Sequence, residues 1–320
     1  EVKEELIKEL DIKENDLILM SGTPSPETSG TQLYHQFYLS INTPFKEKKF
    51  YEWASKYVDI KTKYVNGIII KDYKAGKYDE IMNVVGKYFV NYTQKEAGIQ
   101  CEIIEQVHKV KINPDIYKLI KILKKEKMYR FKKLDEQVVC DTAVKEMNKI
   151  HQLCSGTIIT ESGKRLLLDN SKVNYIKQHF NKKKIAIFYR FIAEGDILKK
   201  EFPNWTDKDF EFNNSDKLTY ICQVISGQEG TDLSSADDLI FYNIHHSSVT
   251  YWQARSRLSN LKRKRACHVH WLFSSLGIEQ HIYQAVLNKK NYTSYLYRRD
   301  YEKIGEQNTR RDYQIHKGVA

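Results

Sequence analysis

Two hydrophobic periods run along this chain and divide it. Asp16-Leu-Ile-Leu-Met20 is a short apolar run that ends in the small, proline-containing stretch Ser21-Gly-Thr-Pro-Ser-Pro-Glu27. That is the pattern of a buried strand followed by a tight polar turn. A strand apolar on both faces belongs to a covered parallel sheet. Residues 3–12 upstream are charged and helix-compatible and offer no further strand, so the sequence is expected to enter a domain part-way through. Over 31–155 the apolar positions recur at helical spacing, as at Leu33, Phe37 and Tyr38, at Phe45, Phe50, Trp53 and Tyr57, and within Tyr78–Val85. Asn113-Pro-Asp opens a helix over 113–129 with a cap and a first-turn proline. Ile116, Leu119, Ile120 and Leu123 form its apolar stripe, and lysines 118, 121, 124 and 125 occupy much of the other face. Residues 136–154 predict another helix, and Gly67-Ile-Ile-Ile-Lys71 a short extended break.

From about residue 165 strands alternate with helices. Strands are predicted at 184–189, 218–225, 238–242 and 268–273, with helices at 170–180, from 195, at 249–261 and at 278–287. Such alternation implies βαβ units and a parallel sheet, so the fold class is α/β. Residues 288–320 are polar and basic and are expected to form a loose tail. No internal repeat is present.

Charge changes the picture more than composition does. The 320 residues carry 52 Lys and Arg against 41 Asp and Glu, a net +11. Basic clusters lie at Lys46-Glu-Lys-Lys49, Lys121–Lys133, Lys182-Lys-Lys184 and Lys262-Arg-Lys-Arg265. Each alone reads as a solvated face; four together, among 22 Tyr, 13 Phe and 4 Trp, make nucleic acid the leading partner. No apolar run approaches the ~18 residues a membrane span needs, so no membrane partner is expected, and the opening Glu-Val-Lys-Glu-Glu has no apolar signal core. The cysteines, Cys101, Cys140, Cys154, Cys222 and Cys267, are odd in number and form no CxxC pair. A reducing cytoplasm fits best. His245-His246 and His268-Val-His270 lack companion ligands at metal-site spacing; they read as surface or core histidines, and no metal site is expected.

Two segments are candidates for chemistry. Ser226-Gly-Gln-Glu-Gly-Thr-Asp-Leu233 follows a predicted parallel strand, and ligands of open α/β sheets bind at the carboxyl ends of strands. Glycine lets backbone approach a ligand, and Asp232 can accept bonds from a ribose hydroxyl; the same residues also fit an ordinary connecting loop. In Tyr251-Trp-Gln-Ala-Arg-Ser-Arg257, Gln253 and Arg257 share a helix face at i, i+4. An amide and a guanidinium there present several donors to a phosphate chain, although a solvent-facing basic helix would look alike. No GxxxxGK[ST] phosphate loop occurs, Ser162-Gly-Lys-Arg165 lacking the upstream Gly and the following Ser or Thr. No Asp-Glu-x-His motif precedes Ser21, and no GxSxG or kinase signature is present.

In order along the chain, Leu17-Ile-Leu-Met-Ser-Gly-Thr-Pro-Ser-Pro-Glu27 resembles motif III of superfamily 2 helicases, in the SWI/SNF-type and phage-encoded branch. Lys184-Ile-Ala-Ile-Phe-Tyr-Arg190 resembles motif IV, Gln228-Glu-Gly-Thr-Asp-Leu233 with Ser226 before it motif V, and Tyr251-Trp-Gln-Ala-Arg-Ser-Arg257 motif VI. Together they cover roughly residues 16–290. The resemblance implies two RecA-like domains with ATP between them, in a bacterial or phage-infected cell. It implies the end of the first domain over 1–30, a helical insertion over 31–160, the second domain over 161–290 and a basic tail over 291–320. Gly230 and Asp232 would lie near the nucleotide, and Gln253 and Arg257 near its phosphates. Arg257 would be the catalytic arginine, a role worth about 10³–10⁵ in rate in arginine-finger systems. Ser21, Gly22 and Thr23 would couple nucleotide state to domain closure, and Ser226 would touch the nucleic-acid backbone.

Two departures accompany this resemblance. Where the family has a second arginine three residues after the first, this chain has Asn260, with Arg263 one turn later. ATP and Mg²⁺ would be held mainly by a phosphate-loop half that this sequence does not contain, as part of a longer protein or as a separate chain. The chain alone is therefore expected not to hydrolyse ATP. The expected function is that of the carboxyl-terminal part of an ATP-dependent helicase or translocase moving on DNA. Lys121, Lys124 and Lys125 are expected to add backbone contacts. The alternative is a non-catalytic nucleic-acid-binding protein that keeps the fold. A nuclease-associated subunit ranks last, since no PD-(D/E)xK-like cluster is evident.

Overall fold

The computed structural model describes residues 18–20, 29–40, 42–65, 68–91, 95–227, 230–261, 263–301 and 304. It divides into two compact units, Glu1–Ala97 and Gly98–Ala320.

In the first unit, helices α1 (Leu33–Phe37), α2 (Phe50–Tyr57) and α3 (Tyr78–Val85) accompany an antiparallel hairpin of β1 (Lys61–Val65) and β2 (Ile68–Asp72), with Tyr64 opposite Ile69. The helical spacing of the aromatics produces the core. Trp53 and Tyr57, one turn apart, bury with Leu33, Tyr34, Phe45, Ile81 and Val85. The Trp53 ring lies 5.0 Å from Tyr34 and 5.5 Å from Phe45. The strand expected at 16–20 is not observed where the chain is described. Ile18, Leu19 and Met20 are exposed and in no strand, because among the described residues no strand offers them a ladder. Ser21, Gly22 and Thr23 lie outside the described residues.

The second unit is a parallel sheet covered on both faces. Its strands are β3 (Ile103–Val110), β8 (Ile185–Tyr189), β9 (Trp205–Thr206), β10 (Thr219–Gln223), β11 (Asp238–Phe241) and β12 (Cys267–Ser274), in the spatial order β3-β12-β11-β8-β10-β9. Every pair is parallel. Two hairpins, β4 (Met128–Phe131) with β5 (Glu136–Val139) and β6 (Thr157–Ile159) with β7 (Arg165–Leu167), stand apart from it. The helices are α4 (Pro114–Glu126), α5 (Ala143–Cys154), α6 (Ser171–His179), α7 (Ile192–Glu201), α8 (Asp209–Asn213), α9 (Val224–Gly227), α10 (Ser248–Arg255), α11 (Glu279–Leu287) and α12 (Ser294–Asp300). The apolar run Ile-Ala-Ile-Phe of β8 serves two cores. Ile185 and Ile187 pack with Val173, Ile176 and Leu198, while Ala186 and Phe188 face the side of Leu233, Tyr251 and Ala254. This is the α/β parallel-sheet class that the alternation predicts. No helix among the described residues is long and apolar enough to cross a membrane.

Three boundaries differ from expectation. The span 31–160 is divided between the units, because Ile103–Val110 pairs along its whole length with β12. Its polar alternation, Ile-Ile-Glu-Gln-Val-His-Lys-Val, suits an edge strand rather than a covered one. Within the helix expected over 136–154, Glu136–Val139 is a strand, and the helix begins only after Thr142, whose hydroxyl accepts the Lys145 N–H at 3.3 Å. The tail expected over 291–320 contains α12, held by Tyr297, whose hydroxyl donates to Glu146 at 2.6 Å. Residues 305–320 lie outside the described residues.

Candidate functional site

Gln253 lies on α10, and Arg257 lies two residues past its last residue, Arg255. Ser247 caps α10, its hydroxyl accepting the Thr250 N–H at 3.4 Å. Past the end of that helix, the Arg257 Nε donates to the Gln253 carbonyl at 3.1 Å, with both side chains half-buried. The Leu233 N–H donates to the Arg257 carbonyl at 3.1 Å, which brings the Gly230–Leu233 loop against the same helix end. Gly230 has φ +67°, and a β-carbon there would meet no heavy atom within 4 Å. The left-handed backbone favours glycine, and the space above it lets a ligand approach. Asp232 is exposed and positioned from three sides. Its N–H donates to Asp209 Oδ2 at 3.0 Å, its carbonyl accepts from Asn213 at 2.9 Å, and its Oδ1 accepts the Ser234 N–H at 2.9 Å. Gly230, Asp232, Gln253 and Arg257 thus share one neighbourhood.

Ser226, exposed on α9, lies at the carboxyl end of β10, but the chain beyond Gly230 returns toward the amino ends of the strands. The Asp237 N–H donates at 2.7 Å to Lys184, the residue before β8.

Neighbouring arginines have structural work. Arg255 pairs with Glu105 at 2.6 Å and lies over the Trp252 ring at 4.5 Å. Arg263 is buried and donates to the carbonyls of Ser234 and Ala236 at 2.7 Å, Ala266 at 2.9 Å and Arg265 at 3.3 Å. The Asn260 side chain accepts the Arg263 N–H at 2.8 Å. Arg263 is thus a clamp on the 234–236 turn, with its guanidinium turned into the protein, and it does not take the place of an arginine at position 260. On α4, Lys121 and Lys125 are exposed, but Lys124 is not part of an open stripe. Its ammonium donates to the carbonyls of Tyr301 and Ile304, the latter at 3.0 Å, and lies 4.2 Å from the Tyr301 ring centroid.

A second polar cluster, which includes Arg190 of the motif IV segment and His246 of the histidine doublet, lies where β8, β10 and β11 end. Glu194 accepts the N–H groups of Arg190 and Phe191 at 2.9 Å each and the Asn243 amide at 2.7 Å. The Arg190 carbonyl accepts from Gln223 at 2.8 Å, and its guanidinium donates to His246 Nδ1 at 3.0 Å. Assigning that proton to arginine leaves His246 Nε2 to donate to His151 Nδ1, 3.2 Å away. Burial, and then the Arg190 charge, hold His151 and His246 far below the ordinary histidine range. The signal in the sequence was the His245-His246 doublet just past a predicted strand.

Burial also pushes His245 and His108 down to about 4 from an ordinary value of 6.5. Both are neutral when folded at pH 7. Between about pH 6.5 and pH 4 the unfolded chain binds protons there that the folded chain refuses, so stability falls as pH decreases through that window. The melting temperature should drop from pH 7 to pH 4.5, with a shallower slope in His108→Gln; an unchanged slope in that variant would contradict the assignment.

The donor set fits a nucleotide better than a metal ion. Gly230, Gln253 and Arg257 suit phosphate and sugar oxygens, whereas no group of three or more His, Cys, Asp or Glu among the described residues is arranged to hold a metal.

No protein-family model matches the chain, and no curated protein matches it. Among solved structures, the chain is similar to the C-terminal part of the Fun30 ATPase domain, with 18% identity over 39% of this chain and 48% of that one and a TM-score of 0.33. It is also similar to the Sulfolobus solfataricus SWI2/SNF2 ATPase core in complex with double-stranded DNA, with 18% identity over 66% of this chain and 50% of that one and a TM-score of 0.42. For the core domain of the same organism, the identity is 16% over 67% of this chain and 49% of that one, with a TM-score of 0.41. The chain spans about half the length of each of these structures. The likeness is one of fold alone.

Proposed function

We propose that the chain is the carboxyl-terminal part of an ATP-dependent nucleic-acid helicase or translocase. The observation that carries this reading is the hydrogen bond from Leu233 to Arg257. It joins two segments, distant in sequence, that independently resemble motifs V and VI. Gly230 admits the nucleotide to its backbone, Asp232 accepts from a ribose hydroxyl, and Gln253 and Arg257 donate to phosphate oxygens. ATP bound there supplies the phosphoryl group whose transfer to water drives movement. Arg257 stabilises charge that develops on that group. Because the sequence has no phosphate loop, a second half, covalently joined or separate, must present the triphosphate and the Mg²⁺ carboxylates.

On this reading Ser226, Lys121 and Lys125 contact the nucleic-acid backbone, a sequence-tolerant contact whose strength falls with salt. Lys121→Glu with Lys125→Glu should weaken DNA binding and flatten the dependence of log affinity on log salt by about 0.7–0.9 per lost phosphate contact. Lys124 is left out of this test because its reversal would also break the bonds to Tyr301 and Ile304. An unchanged slope removes these lysines from the track. The absence of a phosphate loop favours one further reading, a nucleic-acid-binding protein without catalysis. Nucleic-acid-stimulated ATPase activity of the full-length protein, or of this chain mixed with its complementary half, separates the two.

A further inference from the structure

The first unit carries a surface that none of the motif-bearing segments uses. A cavity of about 500 Å³ opens between α1, the first turn of α2 and the end of the hairpin, with His35, Phe50, Tyr73, Lys71 and Lys74 among its walls. The rings form a continuous ladder from the core outward. Phe50 stacks on buried Trp53 at 5.9 Å and on His35 at 5.0 Å, and it meets the Tyr73 edge at 5.4 Å. Tyr73 in turn lies 5.8 Å from Tyr51, whose residue surface is 69% exposed. An aromatic ring anchored by its neighbours and open to water is a stacking platform that is ordered before anything binds.

The charge beside the platform has one dominant sign. Lys71 and Lys74 are exposed at the cavity, and exposed Lys48 and Lys49 lead into the helix that begins at Phe50. The one carboxylate at the cavity, Asp72, accepts the Lys74 N–H at 3.1 Å and so fixes the turn that presents both lysines. Rings spaced among lysines are the combination that holds single strands, by stacking on bases and neutralising phosphates.

We propose that this surface binds single-stranded nucleic acid, with a base on Tyr51 and Tyr73 and backbone phosphates on Lys71 and Lys74. The proposal rests on the reading of the protein as a nucleic-acid motor and adds to it a contact outside the sheet unit. It is tested by fluorescence anisotropy of the whole chain with a labelled oligothymidylate and, in parallel, with a duplex. Tyr51→Ala should weaken single-strand binding about 5- to 150-fold with an unchanged salt slope, and Tyr51→Phe should keep it. Lys71→Gln with Lys74→Gln should reduce the salt slope by about 1.4, at about 0.7 for each phosphate. These side chains are at the surface, and melting curves check that the variants fold. If the wild-type chain binds and both sets of variants bind equally well, the surface is wrong while the motor reading stands. Losses seen only with duplex overturn the single-strand assignment. A wild-type chain that binds neither probe overturns the motor reading itself.

Discussion

Glu279→Ala should destabilise the sheet unit by about 3–5 kcal/mol, the cost of leaving one partner of a buried ion pair uncompensated. Glu279 and Lys172 are both inaccessible to water and stand 3.0 Å apart. Both groups have further hydrogen-bond partners. The Lys172 ammonium also donates to the Tyr242 carbonyl at 3.1 Å, and Glu279 accepts the N–H and the hydroxyl of Ser274 at 3.0 Å each. Gly277 completes the arrangement, since a β-carbon there would fall 1.9 Å from both Glu279 Oε2 and Ser274 Oγ. Lys172 belongs to α6, which packs on one face of the sheet with Val173 and Ile176. Glu279 belongs to α11, which packs on the other with Ile282 and Val286. The bond therefore ties the two helical layers together around the ends of the central strands. At roughly 2–4 °C per kcal/mol for a unit of this size, the melting temperature should fall by about 6–20 °C. Lys172→Met combined with Glu279→Leu should recover most of the loss, because apolar replacement of a buried pair is often neutral. A Glu279→Ala protein that melts within about 2 °C of wild type would show that the pair is solvated.

The central strands were legible for a physical reason. A parallel strand covered on both faces must be apolar throughout, so Ile185–Tyr189, Asp238–Phe241 and Cys267–Ser274 stand out in the sequence as runs. The edge strand Ile103–Val110 did not stand out. Its polar residues are satisfied by partners far along the chain, as Glu105 is by Tyr251, Trp271 and Arg255. No local pattern announces such partners. The same limit applies to charge. Spacing identified Gln253 and Arg257 as one face, but only the folded chain shows Arg263 and Lys124 turned onto backbone carbonyls and Lys172 sealed against Glu279. Nor does the sequence say that the loop after Gly230 meets the end of α10 through the Leu233–Arg257 bond, since that depends on where the chain must begin β11. The +11 excess is thus partly spent inside the fold, and the cations left outside are those at which binding experiments should aim.

Arg257→Ala in the full-length protein, or in this chain with its complementary half, should lower nucleic-acid-stimulated ATP hydrolysis by about 10³–10⁵, the range of an arginine that meets charge on a transferring phosphoryl group. Melting curves of Arg257→Ala check that the fold survives loss of the Nε bond to the Gln253 carbonyl, a contact of about 1 kcal/mol. Two neighbouring arginines act as controls, Arg255 paired with Glu105 and Arg263 bonded to four backbone carbonyls. Arg255→Ala breaks the Glu105 pair and should lower stability while leaving turnover per folded molecule close to wild type. Arg263→Ala strips the donors from four carbonyls and should lower the melting temperature more than either. Arg257→Lys keeps the charge but not the planar fork, so it should restore part of the rate lost in Arg257→Ala. If Arg257 acts chiefly in the transition state, kcat falls and KM stays near its original value; if it only helps hold ATP, KM rises with kcat unchanged. Asn260→Arg should raise turnover only if a second guanidinium can reach the phosphates from that helix end. Wild-type turnover in Arg257→Ala would detach the helix from the nucleotide, whatever the fold around it.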